Sequence, residues 1–172
     1  MNRTVLTRKE NNEYYDRYIE QIPAGLSLRA GFGSSLEEVV DFFHSIPEEK
    51  LEYRYAEGKW SIKEIFQHLI DTERVFAYRM FRIGRGDATP LAGFDQNLYV
   101  EPSGADKKSL AELTEEFQLL RKSTQSLLGS LLDEDLQHMG EASGFGVSSR
   151  ALAFIILGHE RWHMKIIRER YL

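Results

Sequence analysis

Apolar residues recur at helical spacing in four stretches of the chain, separated by polar segments rich in glycine, proline and serine. In the first, about 35–46, Leu36, Val39, Val40 and Phe43 fall three and four residues apart, and Ser35 with Glu38 reads as a capping box that opens the helix. Pro47 predicts its end. The second opens at Ser61, with Glu64 three positions on and Trp60 placed to staple against Ile65. Its stripe of Ile62, Ile65, Phe66, Leu69, Phe76 and Met80 runs until Gly84 and Gly86. The third covers roughly 109–128, with Leu110, Leu113, Phe117, Leu120 and Leu127 directed inward, and the fourth runs from Ser148 or Ser149 nearly to Leu172. Nothing between them alternates with period two over a convincing length, so the pattern predicts an all-α four-helix bundle.

The connection between Gly84 and Ser109 is about 24 residues long. Connections of that length tend to carry function or a crossover. This one holds Pro90, Pro102 and the aromatic segment GFDQNLYV at 93–100. Residues 1–34 read as an N-terminal extension packing on a bundle of residues 35–172, with a short helix in EYYDRYIEQI and a loop from Pro23 to Gly33.

Composition narrows the function. The 172 residues are 42% hydrophobic and 28% charged, the balance of a single globular domain rather than a disordered chain. A net charge of -5, with no cluster of Lys or Arg, argues against a nucleic-acid binder. The absence of cysteine removes disulfides, thiolate zinc sites and cysteine nucleophiles. The longest apolar run, ALAFIIL at 151–157, is too short to span a bilayer, and the polar start MNRTVLTRKENNEYYDRY lacks the apolar core of a secretory signal. A cytoplasmic protein with no membrane partner is the expectation.

The histidines point to chemistry. At about 100° per residue, with Leu152 as zero, Ile155, Ile156, Ile166 and Ile167 mark the apolar stripe of the fourth stretch, and His159 and His163 fall at about 340° and about 20°, in its middle. A single histidine on such a face is ordinarily a hydrogen-bonded core residue. Two of them one turn apart, both central, have the spacing at which helical histidines chelate one ion, and a shared cation satisfies one nitrogen of each ring. A zinc-like ion takes at least three protein ligands. His138 lies in a polar stretch, and His44 sits near the end of the first helix, at its flank. His68, mid-way along the second helix on the side where a neighbour is met, is the expected third ligand. No fourth ligand follows: Asp71 and Glu73 lie at about 180° and about 20° on that helix, away from His68 at about 240°.

Residues 159–163 read His-Glu-Arg-Trp-His, a literal match to the H-E-x-x-H of zinc proteases. The context does not support it. No histidine follows His163, Glu169 falls at about 260°, off the metal face, and no strand is predicted to hold an extended peptide. Glu160, at about 80°, sits at the edge of the stripe, where a solvated or salt-bridged carboxylate is expected and a role as base is a weaker alternative.

With GKWSIKEIFQHLIDTE at 58–73, TPLAGFDQNLYV after the second helix and GHERWHMKII at 158–167, the chain resembles the DinB-like superfamily over about residues 35–172. The resemblance implies a four-helix bundle of the DinB/YfiT-like type with a three-histidine site, commonly zinc or nickel, whose ligands fall on His68, His159 and His163. It also implies a homodimer, and a family that includes metal-dependent hydrolases, bacillithiol-dependent S-transferases and a mycothiol-dependent maleylpyruvate isomerase. An ion held by three neutral imidazoles keeps its full charge and an open position, which lowers the pKa of bound water or of a bound thiol and polarises a substrate oxygen. The expected function is therefore metal-dependent thiol transfer, with a low-molecular-weight thiol as cofactor, or hydrolysis of a small molecule. The alternatives are a non-catalytic metal-binding or dimerisation module, and a metal-free helical scaffold. Candidate substrate contacts are Asp95, Gln96, Asn97 and Tyr99 in the long connection and Arg82 near the end of the second helix.

Overall fold

The computed structural model describes all of residues 1–172. In chain order the elements are α1 (Asp16–Ile19), α2 (Leu28–His44), α3 (Ile62–Gly84), α4 (Asn97–Ser103), α5 (Leu110–Ser130), the strands β1 (Met139–Ala142) and β2 (Phe145–Ser148), and α6 (Ser149–Arg170). The four long helices form a bundle: α3 packs on α5 and α6, and α2 packs on the same two, closing the ring. No helix is long and apolar enough to cross a membrane.

Local chemistry sets the helix starts. Ser61 Oγ accepts the Glu64 N–H at 3.1 Å while Glu64 Oε2 accepts the Ser61 N–H at 2.7 Å. The same reciprocal box joins Ser109 and Glu112 at the head of α5. Ser148 Oγ accepts the Ala151 N–H at 3.1 Å and starts α6 directly from β2. At α2 the expected start is wrong. The helix begins at Leu28, with Ser27 as its cap, and Ser35 lies buried inside it, its hydroxyl accepting from Arg121. Residues 28–33, expected as loop, are helical because packing overrides the low propensity of Gly31 and Gly33. A Cβ at Gly31 would come within 2.8 Å of Leu157 Cδ1, so the glycine permits close approach of α2 and α6.

Two other features escape the hydrophobic pattern. The long connection contains α4, and residues 139–148 form a hairpin in the register Met139↔Ser148 to Ala142↔Phe145. Its two turn residues, Ser143 and Gly144, have φ of 57° and 81°, the left-handed pair that a tight hairpin turn requires. Four-residue strands are too short to display a period of two. Leu91 N–H donates to Glu141 O at 2.9 Å and Ser143 N–H to Leu91 O at 3.0 Å, tying the long connection to the hairpin.

The core is divided. One apolar cluster includes Phe32, Phe76, Leu128 and Phe154, the other Val39, Leu69, Phe117 and Met164. Each long helix therefore passes from one cluster to the other, and each places a buried polar residue at the crossing: Ser35, Glu73, Arg121 and Glu160. The histidines lie beside this layer on α3 and α6.

Where α1 crosses α6, a Cβ on Gly158 would stand 2.0 Å from Tyr18 O, so only glycine fits. Gly158→Ala is expected to destabilise the protein by about 2–3 kcal/mol, a drop in Tm of roughly 5–10 °C in a melting experiment. Gly129, on the exposed side of α5, has open space where a methyl group would stand, with no atom within 4 Å, and should respond with the opposite sign: Gly129→Ala should stabilise by roughly 0.5–1 kcal/mol.

Candidate metal centre

α3 and α6 bring the three expected histidines together. His68 Nε2 and His163 Nε2 each stand 3.0 Å from His159 Nε2. All three ligand nitrogens lie within 4.8 Å of one another, and no carboxylate oxygen or fourth histidine joins the group. His68, His159 and His163 are 5%, 5% and 7% exposed. Two nitrogens bound about 2.1 Å from one centre are separated by roughly 2.9–3.4 Å at the angles of common coordination geometries. Both separations to His159 fall in that range, so the trio is placed to share a cation. Hydrogen bonding alone does not satisfy it. A ring nitrogen offers one in-plane proton or one lone pair, and His159 Nε2 has two competing neighbours.

Neighbouring side chains set the ring orientations. Thr72 Oγ1 lies 3.3 Å from His68 Nδ1, one turn along α3. Trp60 tilts against His68 at 4.8 Å, Tyr18 meets His159 edge-on at 5.0 Å, and Trp162 meets His163 edge-on at 4.8 Å. Burial lowers the pKa of His68 to about 4. Burial also takes His159 and His163 well below the ordinary imidazole value, and the mutual repulsion of the charged rings adds to it. All three are neutral near pH 7, the form that binds metals.

A cavity of about 350 Å³ opens against His159. One wall is aromatic, from Tyr14, Tyr15, Tyr18, Phe76 and Phe94, and the other polar, from Asp95, Gln96, Asn97 and Ser143, with Thr72 beside the histidine. Three of the five expected contacts, Asp95, Gln96 and Asn97, thus line it. Tyr99 does not; it stacks on Phe94 with ring centroids 5.6 Å apart and borders a separate, smaller space near His68. Arg82 is elsewhere, paired with Asp87 and donating to the Tyr78 hydroxyl at 2.5 Å. His44 Nε2 pairs with Thr114 Oγ1 at 3.1 Å, and the exposed His138 lies with its Nδ1 3.1 Å from Gly84 O. The hydrophobic pattern does not reveal the aromatic wall, because the three tyrosines belong to the N-terminal segment and reach the site only through the docking of α1 on α6.

The sequence pattern of the DinB superfamily matches residues 32–167. The chain belongs to the DinB superfamily. Among solved structures, YfiT from Bacillus subtilis shares 16% identity with this DinB protein, aligns over 95% of this chain and 90% of its own, and gives a TM-score of 0.69. It is described as a probable metal-dependent hydrolase with an unusual four-helix bundle topology. At that identity the likeness establishes the fold. A search of curated proteins finds no match.

In this DinB protein the glutamate of the H-E-x-x-H sequence is buried rather than solvated, and it is salt-bridged. Arg121, 1% exposed, donates from Nη2 to Glu160 Oε2 at 2.5 Å and to Glu73 Oε2 at 2.7 Å, and from Nε to Glu73 Oε1 at 2.9 Å. Burial pushes the Glu160 carboxyl up to about 7, against the pull of Arg121, and its Oε1 has no hydrogen-bond partner. Burial opposes the Arg121 charge too, but Glu160 and Glu73 outweigh it and raise its pKa. The layer as a whole is short of positive charge, with two carboxylates on one guanidinium.

Two predictions concern these groups. Arg121→Met leaves two buried carboxylates without their cation and should cost about 3–5 kcal/mol in urea unfolding. The second concerns pH. Because His68 takes up protons at a lower pH folded than unfolded, the unfolded chain binds more protons between about pH 6.5 and about 4, so this residue's contribution to stability falls as pH falls through that window. Metal-free His68→Gln should therefore lose less stability than metal-free wild type between those limits, by on the order of 2 kcal/mol. Parallel pH profiles for the two proteins would contradict the assignment.

Proposed function

We propose that His68, His159 and His163 hold one divalent cation, zinc or nickel, and that the protein is a metal-dependent enzyme, a hydrolase or a thiol S-transferase, acting on a small molecule held in the 350 Å³ cavity. The observation that carries this reading is the convergence of three neutral imidazole nitrogens, with no fourth protein ligand, beside that cavity, which His159 lines. A structural site is normally closed by a fourth side chain, so the trio alone favours an open, catalytic one over a non-catalytic module. The description of YfiT as a probable metal-dependent hydrolase points the same way.

When bound, such a cation supplies Lewis acidity, polarising a substrate oxygen or bringing the pKa of a bound water or thiol toward neutrality. The chain's own groups do the rest. The tyrosine and phenylalanine wall takes up the carbon skeleton of a substrate and excludes water from one side. Asp95 Oδ1 accepts both the Asn97 N–H and the Asn97 side-chain amide at 2.9 Å, which holds the carboxylate in place and leaves Oδ2 for a donor on the substrate. Gln96, Asn97 and Ser143 offer further donors and acceptors along the same edge. Glu160 does not line this cavity, and its Oε2 is held by Arg121, so the reading assigns it no role as base toward a guest there.

Protein purified without a nickel column should contain or take up about one equivalent of zinc or nickel per chain. At a free metal concentration a hundred times its Kd, binding should raise stability by about 2.7 kcal/mol, visible as a higher Tm that chelator reverses. His163→Ala should lower metal affinity by at least about tenfold and abolish whatever turnover of ester, amide or thiol–electrophile substrates the wild type shows. Failure of the wild-type protein to take up any metal, or equal inactivity of wild type and variant across such a panel, would overturn the proposal.

A further inference from the structure

A second cavity, of about 230 Å³, opens against His163 instead of His159. Its walls include Trp60 and Trp162, the two tryptophans of the chain, together with Tyr55. These rings are only half-buried, so each keeps a face outside the core. Trp60 is fixed by its backbone, whose carbonyl accepts the Tyr171 hydroxyl at 2.8 Å, and by contact with His68. Two cations stand at or beside this cavity. Lys59 lines the cavity, is exposed and joins no ion pair. Arg170 donates to the Tyr55 hydroxyl at 3.2 Å and lies 5.5 Å from the centre of its ring, and it too lacks a carboxylate partner. Lys59 is the one Lys, Arg, Asp or Glu among the residues lining the cavity. Flat rings favour a planar guest, and an unpaired ammonium at the mouth favours an anionic one.

We propose that this cavity is a second ligand subsite, which takes a planar aromatic carboxylate with its ring against Trp60 and Trp162 and its anionic group toward Lys59. The volume suits a guest of roughly one or two rings, below the range of drug-sized pockets. Asn97 lines both cavities, and the histidines that face them, His159 and His163, meet at 3.0 Å. Two guests would therefore be held on either side of one residue and over one cluster. Taken with the metal reading above, on which this last step rests, that arrangement favours transfer between two bound molecules over hydrolysis of one. Binding in the subsite itself requires no metal.

The test uses the unaltered chain without added metal and titrates benzoate while following indole emission, since Trp60 and Trp162, the two indoles, both line the cavity. Benzoate should produce a saturable change with a Kd in roughly the millimolar range, as expected for about nine non-hydrogen atoms. Cyclohexanecarboxylate, which lacks the flat ring, and benzylamine, which carries the opposite charge, should each bind several-fold more weakly. Lys59→Gln should weaken benzoate by about two- to fivefold, the range of an exposed ion pair. Ile166→Phe, which fills the cavity from α6, should remove the response. The absence of any saturable change, or a change that both Lys59→Gln and Ile166→Phe leave untouched, would overturn the subsite. Metal uptake measured on the same samples keeps the two proposals apart: benzoate binding by a protein that takes up no metal would sink the metal reading and leave the subsite standing.

Discussion

An imidazole nitrogen bonds in one direction only, and His159 Nε2 has two imidazole nitrogens competing for that direction, each at 3.0 Å. One proton can lie between one pair of the three; the remaining nitrogen then faces its neighbour unshared. Much of the surrounding architecture follows from holding these rings in place. The i,i+4 spacing puts His159 and His163 on one face of α6, and α3 must approach at His68. Gly158, immediately before His159, lets the backbone of α1 reach α6, and that contact delivers Tyr18 against the His159 ring. The same docking brings the N-terminal tyrosines to the wall of the larger cavity. One glycine thus links the cluster to the surface against which a substrate would lie.

The axial register of the bundle is set next door, by the layer of Ser35, Glu73, Arg121 and Glu160. A buried ion pair contributes little net stability, because desolvation offsets most of its Coulomb attraction. Its value here is geometric. The guanidinium on α5 has donors engaged on α2, α3 and α6 at once, and a slip of any one helix along its axis would leave a buried charge without a partner. Glu73 is five residues from His68 on α3, and Glu160 is adjacent to His159 on α6. Fixing the heights of the two glutamates therefore fixes the heights of the two histidines. The division of the apolar core into two clusters, with polar groups at the crossing, is the packing counterpart of that constraint.

How much of this could be read from the residues depended on whether the signal was local. The capping boxes at Ser61 and Ser109 are local, and both helices begin where they say. The histidine trio was accessible because periodicity alone fixes the facing of two rings on one helix, and the third needed only a helix flank. Ser35–Glu38 has the same form as the true boxes but lies inside α2, because Arg121, distant in sequence, claims the serine hydroxyl. The segment before it looks like loop by propensity and becomes helix through contact with α6. Tyr14, Tyr15, Tyr18 and Ser143 were invisible as cavity residues for the same reason: their position is a product of docking, and no pattern within their own segments encodes it. Arg82 shows the converse, a polar candidate whose charge is already committed to Asp87, five residues on and just past the end of α3.

The polar edge of the larger cavity combines a rigid base with a looser roof. At the base, Arg79 on α3 donates from Nη2 to Ala92 O at 2.7 Å and to Ser143 Oγ at 3.0 Å, and Leu91 bridges to the hairpin. Ser143 and the start of the aromatic segment are thereby fastened to the bundle. From Asp95 to Ser103 the hydrogen bonds are local, Phe94 stacks on Tyr99, and α4 rests on α3. Segments bound this way sit at the low end of the range of local stabilities. Gln96 and Asn97 lie in this part, and Asn97 borders both cavities. The residue best placed to touch a guest on either side of the histidines is therefore carried by a segment whose hydrogen bonds are all local, while the histidines themselves are carried by α3 and α6, the pair packed most closely on each other.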